Sequence, residues 1–134
     1  GVIAAVHCGW RSSVADILGN TVEKMCALGA KPEKICAAMG AAIGKCCFET
    51  DRDVPDAIEK YLDGDTEGLW QLRADGKYLV DLRAANARRL IKLGLLPENI
   101  DISEECTMCS HDKYWSHRYT KGKRGSQAAV IALD

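Results

Sequence analysis

No apolar stretch of this 134-residue sequence approaches the ~20 residues that a membrane-crossing helix needs, because charged residues interrupt each one. Neither sign of charge is in excess: 18 Lys and Arg face 19 Asp and Glu, a formal net charge of -1. That balance produces no field to draw in nucleic acid or an anionic membrane, so neither is expected as a partner. The locally basic run Arg118, Lys121, Lys123 and Arg124 reads as a solvated loop. No secretory signal, internal repeat or low-complexity segment is recognisable. The seven cysteines are odd in number, and Cys26 and Cys36 fall inside apolar periodic segments as small core residues. This excludes a simple secreted disulfide scaffold and points to a reducing cytoplasm. Histidine is scarce, with only His7, His111 and His117.

What is present fits one domain. Hydrophobic residues make up 47% and charged residues 28%, an ordinary balance for a chain able to bury a core. The sequence opens at Gly1 straight into apolar Val2–Val6, so a piece of a longer protein is expected. Val2–Cys8 reads as a first strand and Gly9–Arg11 as a turn. Ser12 or Ser13 is the expected cap of a helix over 14–28, with Val14, Ile17, Leu18, Thr21, Met25 and Leu28 on one face. Gly29 stops it. A strand is expected at Ile35–Met39, then a Gly/Ala-rich turn at 40–44. A second helix starts near Asp53, with Val54, Ile58, Tyr61 and Leu62 on its buried face. Asp75-Gly76 marks a hairpin between Trp70–Leu72 and Tyr78–Val80. A third helix spans 81–93, with Ala84, Ala87 and Ile91 facing inward. Strands Ile100–Ser103 and Gln127–Leu133 flank a polar, aromatic-rich loop over 106–123. This order is an α/β or α+β pattern.

Three clusters carry possible chemistry. His7-Cys8-Gly9-Trp10-Arg11 ends a predicted strand, where a sheet aims side chains into a crevice. A neutral imidazole is a common zinc or copper ligand, and a guanidinium fits phosphate or carboxylate. A core histidine with a surface arginine is the alternative reading. In Gly44-Lys45-Cys46-Cys47-Phe48-Glu49 the vicinal thiols do not readily hold one metal from an extended chain, so they read as buried thiols in a turn. Cys106-Thr107-Met108-Cys109, with His111 and His117 beyond it, supplies half of a structural zinc site but lacks a regular second pair. The alternative is a substrate-facing loop in which aromatic rings stack a flat ligand beside His117 and Arg118.

Taken in order, the blocks Val2–Arg11, Ala42–Glu49, Tyr78–Leu82 with Ala85-Asn86, Cys106-Thr107 with Tyr114–Arg118, and Gly125–Ile131 resemble the YfiH/YlmD-type family. That family comprises purine nucleoside phosphorylases and laccase-like polyphenol oxidases. Departures from its usual pattern are Cys8 for alanine, Ser12 for glycine, Lys45 for proline and Ser126 for arginine. The resemblance implies an α/β fold, a four-layer α/β/β/α sandwich with mixed sheets, of which residues 1–134 form the C-terminal part. It implies a zinc ion (alternatively copper) held by a histidine, a cysteine and a second histidine. His7 matches the last of these; the other two would precede Gly1, and none of the seven cysteines matches the ligand cysteine. Substrate contacts fall on Arg11, Cys106, Tyr114, His117 and Arg118, with Trp115 as an alternative stacking ring.

Two activities follow from the resemblance. One is phosphorolysis of a purine nucleoside, adenosine or inosine, with possible adenosine deamination; Arg11 and Arg118 then serve as phosphate contacts. The other is copper-dependent phenol oxidation. Three histidines are too few for a true multicopper site. A third possibility is an inactive fragment or a subunit that needs the N-terminal half, in cis or in trans.

Overall fold

The computed structural model describes residues 1–133. Its centre is a helix whose apolar spacing is strict. In α3 (Asp53–Tyr61), Val54, Ile58, Tyr61 and the following Leu62 recur at helical intervals, and Ile58 and Leu62 are fully buried. Pro55 sits in the first turn, where its missing N–H breaks no helical bond, and Asp53 and Asp56 face the positive end of the helix.

This face packs on a three-stranded antiparallel sheet. Strand β2 (Glu49–Thr50) pairs with β4 (Tyr78–Val80), which pairs in turn with β3 (Trp70–Leu72). The β3–β4 hairpin closes around Asp75-Gly76 as expected. Gly76 takes φ 81 there, and Asp75 Oδ1 accepts the Lys77 N–H at 3.1 Å. Phe48, Leu69, Tyr78, Val80 and Ala85 complete the core, with Trp10 and Val14 packed against it.

A second core joins Leu18, Val22, Leu90 and Leu95 to a two-stranded parallel sheet of β1 (Ala37–Met39) and β5 (Ile100–Ile102). Both strands are launched the same way. A helix ends at a positive-φ glycine (Gly29, φ 97; Gly94, φ 95), and a Pro-Glu 3-10 turn (Pro32–Lys34; Pro97–Asn99) leads into the strand. The parallel register continues past the strands: Ser103 N–H donates to Met39 O at 2.9 Å, and Ala42 bridges Cys106. Residues 42–48 and 103–109 therefore leave the sheet side by side.

Several expectations are corrected. The single helix over 14–28 is two: α1 (Trp10–Val14) and α2 (Ile17–Ala27), broken at Asp16, whose φ is 60. Asp16, not Ser12 or Ser13, caps α2 by accepting the Gly19 N–H at 3.2 Å. Ser12 Oγ instead donates to the carbonyls of His7 and Gly9, each at 2.9 Å. The buried face of α2 is Leu18 and Val22, and Leu28 is 73% exposed. Helix α4 (Leu82–Lys92) starts at the cap Asp81 and buries Ala85, Asn86 and Leu90 while Ile91 faces out.

The expected outer strands, Val2–Cys8 and Gln127–Leu133, carry no strand pairing. An apolar run supplies propensity, but a strand also needs a hydrogen-bonded neighbour. Ile3, Val6, Val130, Ile131 and Leu133 are exposed accordingly, and the two segments meet where Gly1 approaches the Leu133 side chain.

Candidate metal and substrate site

His7 and Arg11 flank the start of α1. The imidazole is exposed, and its backbone carbonyl is held by the Ser12 hydroxyl. The Arg11 guanidinium lies 4.5 Å from the centroid of the Trp10 ring. Arg118 is mounted in the same manner, 5.9 Å from the Phe48 ring, and its Nη1 donates to Glu49 O at 2.9 Å. Phe48 lies in the core cluster and Trp10 packs against it, so both cations rest on aromatic faces of a single packed unit. Four other arginines, Arg52, Arg73, Arg88 and Arg89, are paired with carboxylates. Neither Arg11 nor Arg118 takes part in an ion pair among the described residues.

The loop over 106–123 carries the remaining predicted contacts. Tyr114 is half-buried and donates its hydroxyl to Glu105, which Lys113 also reaches at 3.2 Å. The Tyr114 hydrogen bond and the Lys113 ammonium lower the Glu105 pKa, and Glu105 in turn raises that of Tyr114. Trp115 is 53% exposed and is the freer of the two stacking rings. Gly125 passes so close to its indole that any side chain there would collide with it. His117 is exposed, and His111 packs edge-on against Tyr119 at 3.8 Å between centroids. Two shallow recesses, one lined by Asp81, Arg83 and Ser103 and the other by Cys36, Ile100 and Ile131, include none of the predicted site residues. His7, Arg11, His117 and Arg118 are all exposed side chains.

Cys106 is different. Its side chain is buried, and its Sγ accepts the Gly44 N–H at 3.2 Å. Around it gather Cys46, Cys47 and Cys109; the ligand atoms of all four lie within 4.8 Å of one another. Burial raises the Cys106 pKa, but the N–H groups of Gly44, Cys109 and Met108 and the Cys46 thiol outweigh it, leaving a value of about 6. Burial and the neighbouring Cys109 thiol push Cys46 and Cys47 up. The expectation of two buried thiols in a turn holds for the turn and not for the burial: Cys46 is exposed and Cys47 half-buried. Phe48 N–H and Cys47 N–H both donate to Gly44 O (2.9 and 3.0 Å), a tight turn that puts two consecutive side chains on one side. The two cysteine pairs lie 59 to 63 positions apart in the sequence, so nothing local joins them. The signal that joins them is the parallel pairing of β1 with β5.

The chain folds as a mixed α/β protein with one parallel and one antiparallel sheet. Over residues 1–134 the chain matches the family model described as multi-copper polyphenol oxidoreductase laccase, and it belongs to that family. It is 38% identical to adenosine deaminase RL5 from an unknown prokaryotic organism over 118 residues, 88% of this chain and 45% of that protein. It is 33% identical to the purine nucleoside phosphorylase YlmD of Geobacillus stearothermophilus over 137 aligned residues, covering 98% of this chain and 48% of YlmD. The crystal structure of that YlmD superposes with a TM-score of 0.84, covering 90% of this chain and 45% of that one. The Bacillus licheniformis protein YfiH gives 0.80 at 26% identity, covering 88% of this chain and 45% of YfiH. The chain spans about half the length of these relatives.

Proposed function

We propose that this chain is the C-terminal part of a metal-dependent purine nucleoside enzyme that cleaves adenosine or inosine with phosphate. The observation that carries this reading is the pair Arg11 and Arg118, two cations held on aromatic faces at one core cluster and without a carboxylate partner among the described residues. A phosphate nucleophile and the developing charge of phosphorolysis call for such contacts. Trp115 offers a stacking face for the purine, Tyr114 lines the same loop, and His117 is a polar contact beside it. Cys106 serves the site from beneath as the buried anchor of that loop, not as a substrate contact.

His7 is one donor of the expected metal set, and a single imidazole holds no ion. The other donors belong to the portion of the relatives' length that these residues do not span, in cis or in trans. When bound, zinc acidifies water, which suits hydrolytic adenosine deamination; copper is the alternative ion. The missing portion would also complete the four-layer sandwich by covering Ile3, Val6, Val130, Ile131 and Leu133. Seven free cysteines fit a reducing cytoplasm. No described helix is long and apolar enough to cross a membrane.

The test is phosphate-dependent release of free base from adenosine and inosine by the full-length protein. Arg11→Ala and Arg118→Ala should each raise the KM for phosphate about tenfold or more, the loss expected for a hydrogen bond between charged groups. His7→Ala should abolish turnover. If phosphate dependence survives both arginine substitutions, the assignment fails. The family's description favours a second reading, oxidation of a chromogenic phenol. Turnover of such a phenol only after copper loading, with no base released from nucleosides, would establish it in place of the first.

A further inference from the structure

The four thiols of Cys46, Cys47, Cys106 and Cys109 meet with a geometry that none of the proposed substrate chemistry uses. We propose that they form a structural zinc site, separate from the metal position at His7, that clamps the 44–48 turn to the start of the 106–123 loop.

Distances carry the argument. Zinc bound tetrahedrally by thiolates at about 2.3 Å requires sulfur–sulfur edges of ~3.8 Å. Cys46 and Cys47 Sγ lie 3.7 and 3.5 Å from Cys109 Sγ, and all four sulfurs fall within 4.8 Å of one another. A disulfide would need ~2.05 Å, and all seven cysteines are free. The span is that of one ion, not of a cluster of several. Among the described residues no other group of three or more His, Cys, Asp or Glu side chains comes together in this way.

The surroundings offer the cluster a hydrogen-bond donor and a positive charge. Cys106 Sγ accepts the Gly44 N–H at 3.2 Å, the kind of backbone hydrogen bond that steadies a Cys-x-x-Cys sulfur at a metal. Four thiolates around Zn(II) leave a doubly negative site, and a cation stands beside it. Arg83 donates through Nη1 to the carbonyls of Ser103 and Glu105, and its Nη2 lies 3.3 Å from where a Gly44 Cβ would stand. That same Cβ position is 3.3 Å from Cys46 Sγ and 3.2 Å from Cys106 Cβ, so glycine at 44 keeps the space between guanidinium and sulfurs open. Tetrahedral sulfur ligation selects zinc or iron among common ions. The mixture of exposed and buried sulfurs provides an entry path for the ion.

The experiment uses full-length protein purified without added metal, with zinc read by plasma mass spectrometry. A His7→Ala variant removes the other metal position from the count. That variant should keep one equivalent of zinc per chain and lose it when Cys46→Ser and Cys109→Ser are added. Cobalt-loaded His7→Ala should show sulfur-to-cobalt charge transfer and intense tetrahedral visible bands. If the cysteine variants do not fold, a thiol count on folded His7→Ala still decides. A strong chelator should release the zinc and make four further thiols reactive. No metal in His7→Ala, with thiol reactivity indifferent to the chelator, overturns the proposal. So does a disulfide between any two of these cysteines in freshly isolated protein, or iron in place of zinc. Loss of nucleoside activity in His7→Ala with zinc retained leaves this site standing and bears only on the catalytic reading.

Discussion

Gly19→Ala should change the sign of its effect with the residue at position 16. Gly19 is the third residue of α2, where alanine is favoured over glycine by up to ~1 kcal/mol. A methyl built on Gly19, however, lies 2.3 Å from Asp16 Oδ2 and 2.7 Å from its Cγ. The carboxylate must swing away, and it holds three bonds: the Gly19 N–H at 3.2 Å, Arg89 Nε at 2.9 Å and Arg89 Nη2 at 2.5 Å. The cap is worth ~1 kcal/mol. The fork to Arg89 adds about 1 kcal/mol after discounting for an Asp16 side chain that is 38% exposed. Loss of both outweighs the propensity gain, so Gly19→Ala should destabilise by about 1 kcal/mol. In an Asp16→Gly background the obstructing carboxylate is gone and glycine accepts φ 60 without strain. There Gly19→Ala should stabilise by up to ~1 kcal/mol. Urea unfolding of the four proteins in this cycle measures a coupling of about 2 kcal/mol. Equal effects in both backgrounds, or a gain in the wild type, would refute the steric argument.

Ile58→Ala, at a fully buried position between α3 and the three-stranded sheet, should cost about 2–5 kcal/mol in denaturant unfolding; a cost under 1 kcal/mol would mean the core there is loose. Hydrogen bonding from Arg89 lowers the Asp16 pKa in the folded state, so its contribution is present above the unfolded value of ~3.9 and is lost as pH falls through the folded value. Acid titration of stability should therefore be shallower in Arg89→Met, and identical acid limbs would remove the pair from the account. Gly76→Ala should cost about 1–2 kcal/mol although nothing crowds its Cβ position, because φ is 81; Gly76→Asn should cost less, and equal losses by thermal melting would point to packing instead.

What could be read from the sequence was whatever rests on local chemistry. The α3 face, the Asp75-Gly76 hairpin and the stops at Gly29 and Gly94 depend on residues within one turn of each other, and they stand where the pattern put them. The break at Asp16 was hidden because an unbroken apolar period ran through it. The decisive partner, Arg89, lies 73 residues away. The outer strands were misread for the opposite reason: Val2–Cys8 has strand propensity and no strand beside it. His7 and Arg11 stand out by residue type alone, whereas the thiol cluster does not, because an extended Cys46-Cys47 cannot turn both sulfurs to one side. The Gly44 O bonds that fold this segment into a turn cannot be inferred from composition.

Residues 46–49 join the thiol cluster, the core and the Arg118 contact. Cys46 and Cys47 face the thiol cluster, Phe48 enters the core, and Glu49 O receives Arg118. The loop that starts at Cys106 is thus tied to one short segment twice, by sulfur at its beginning and by a guanidinium on an aromatic ring twelve residues later. The two ties differ in kind. The sulfur tie fixes where the loop leaves the sheet, whereas the Phe48 tie fixes the cation proposed to meet phosphate. Removing the Phe48 ring should disturb phosphate binding more than removing Cys109, even though Cys109 is nearer in sequence to Tyr114 and Trp115. The Arg118 guanidinium is held from outside its own loop, by the Phe48 ring and the Glu49 carbonyl.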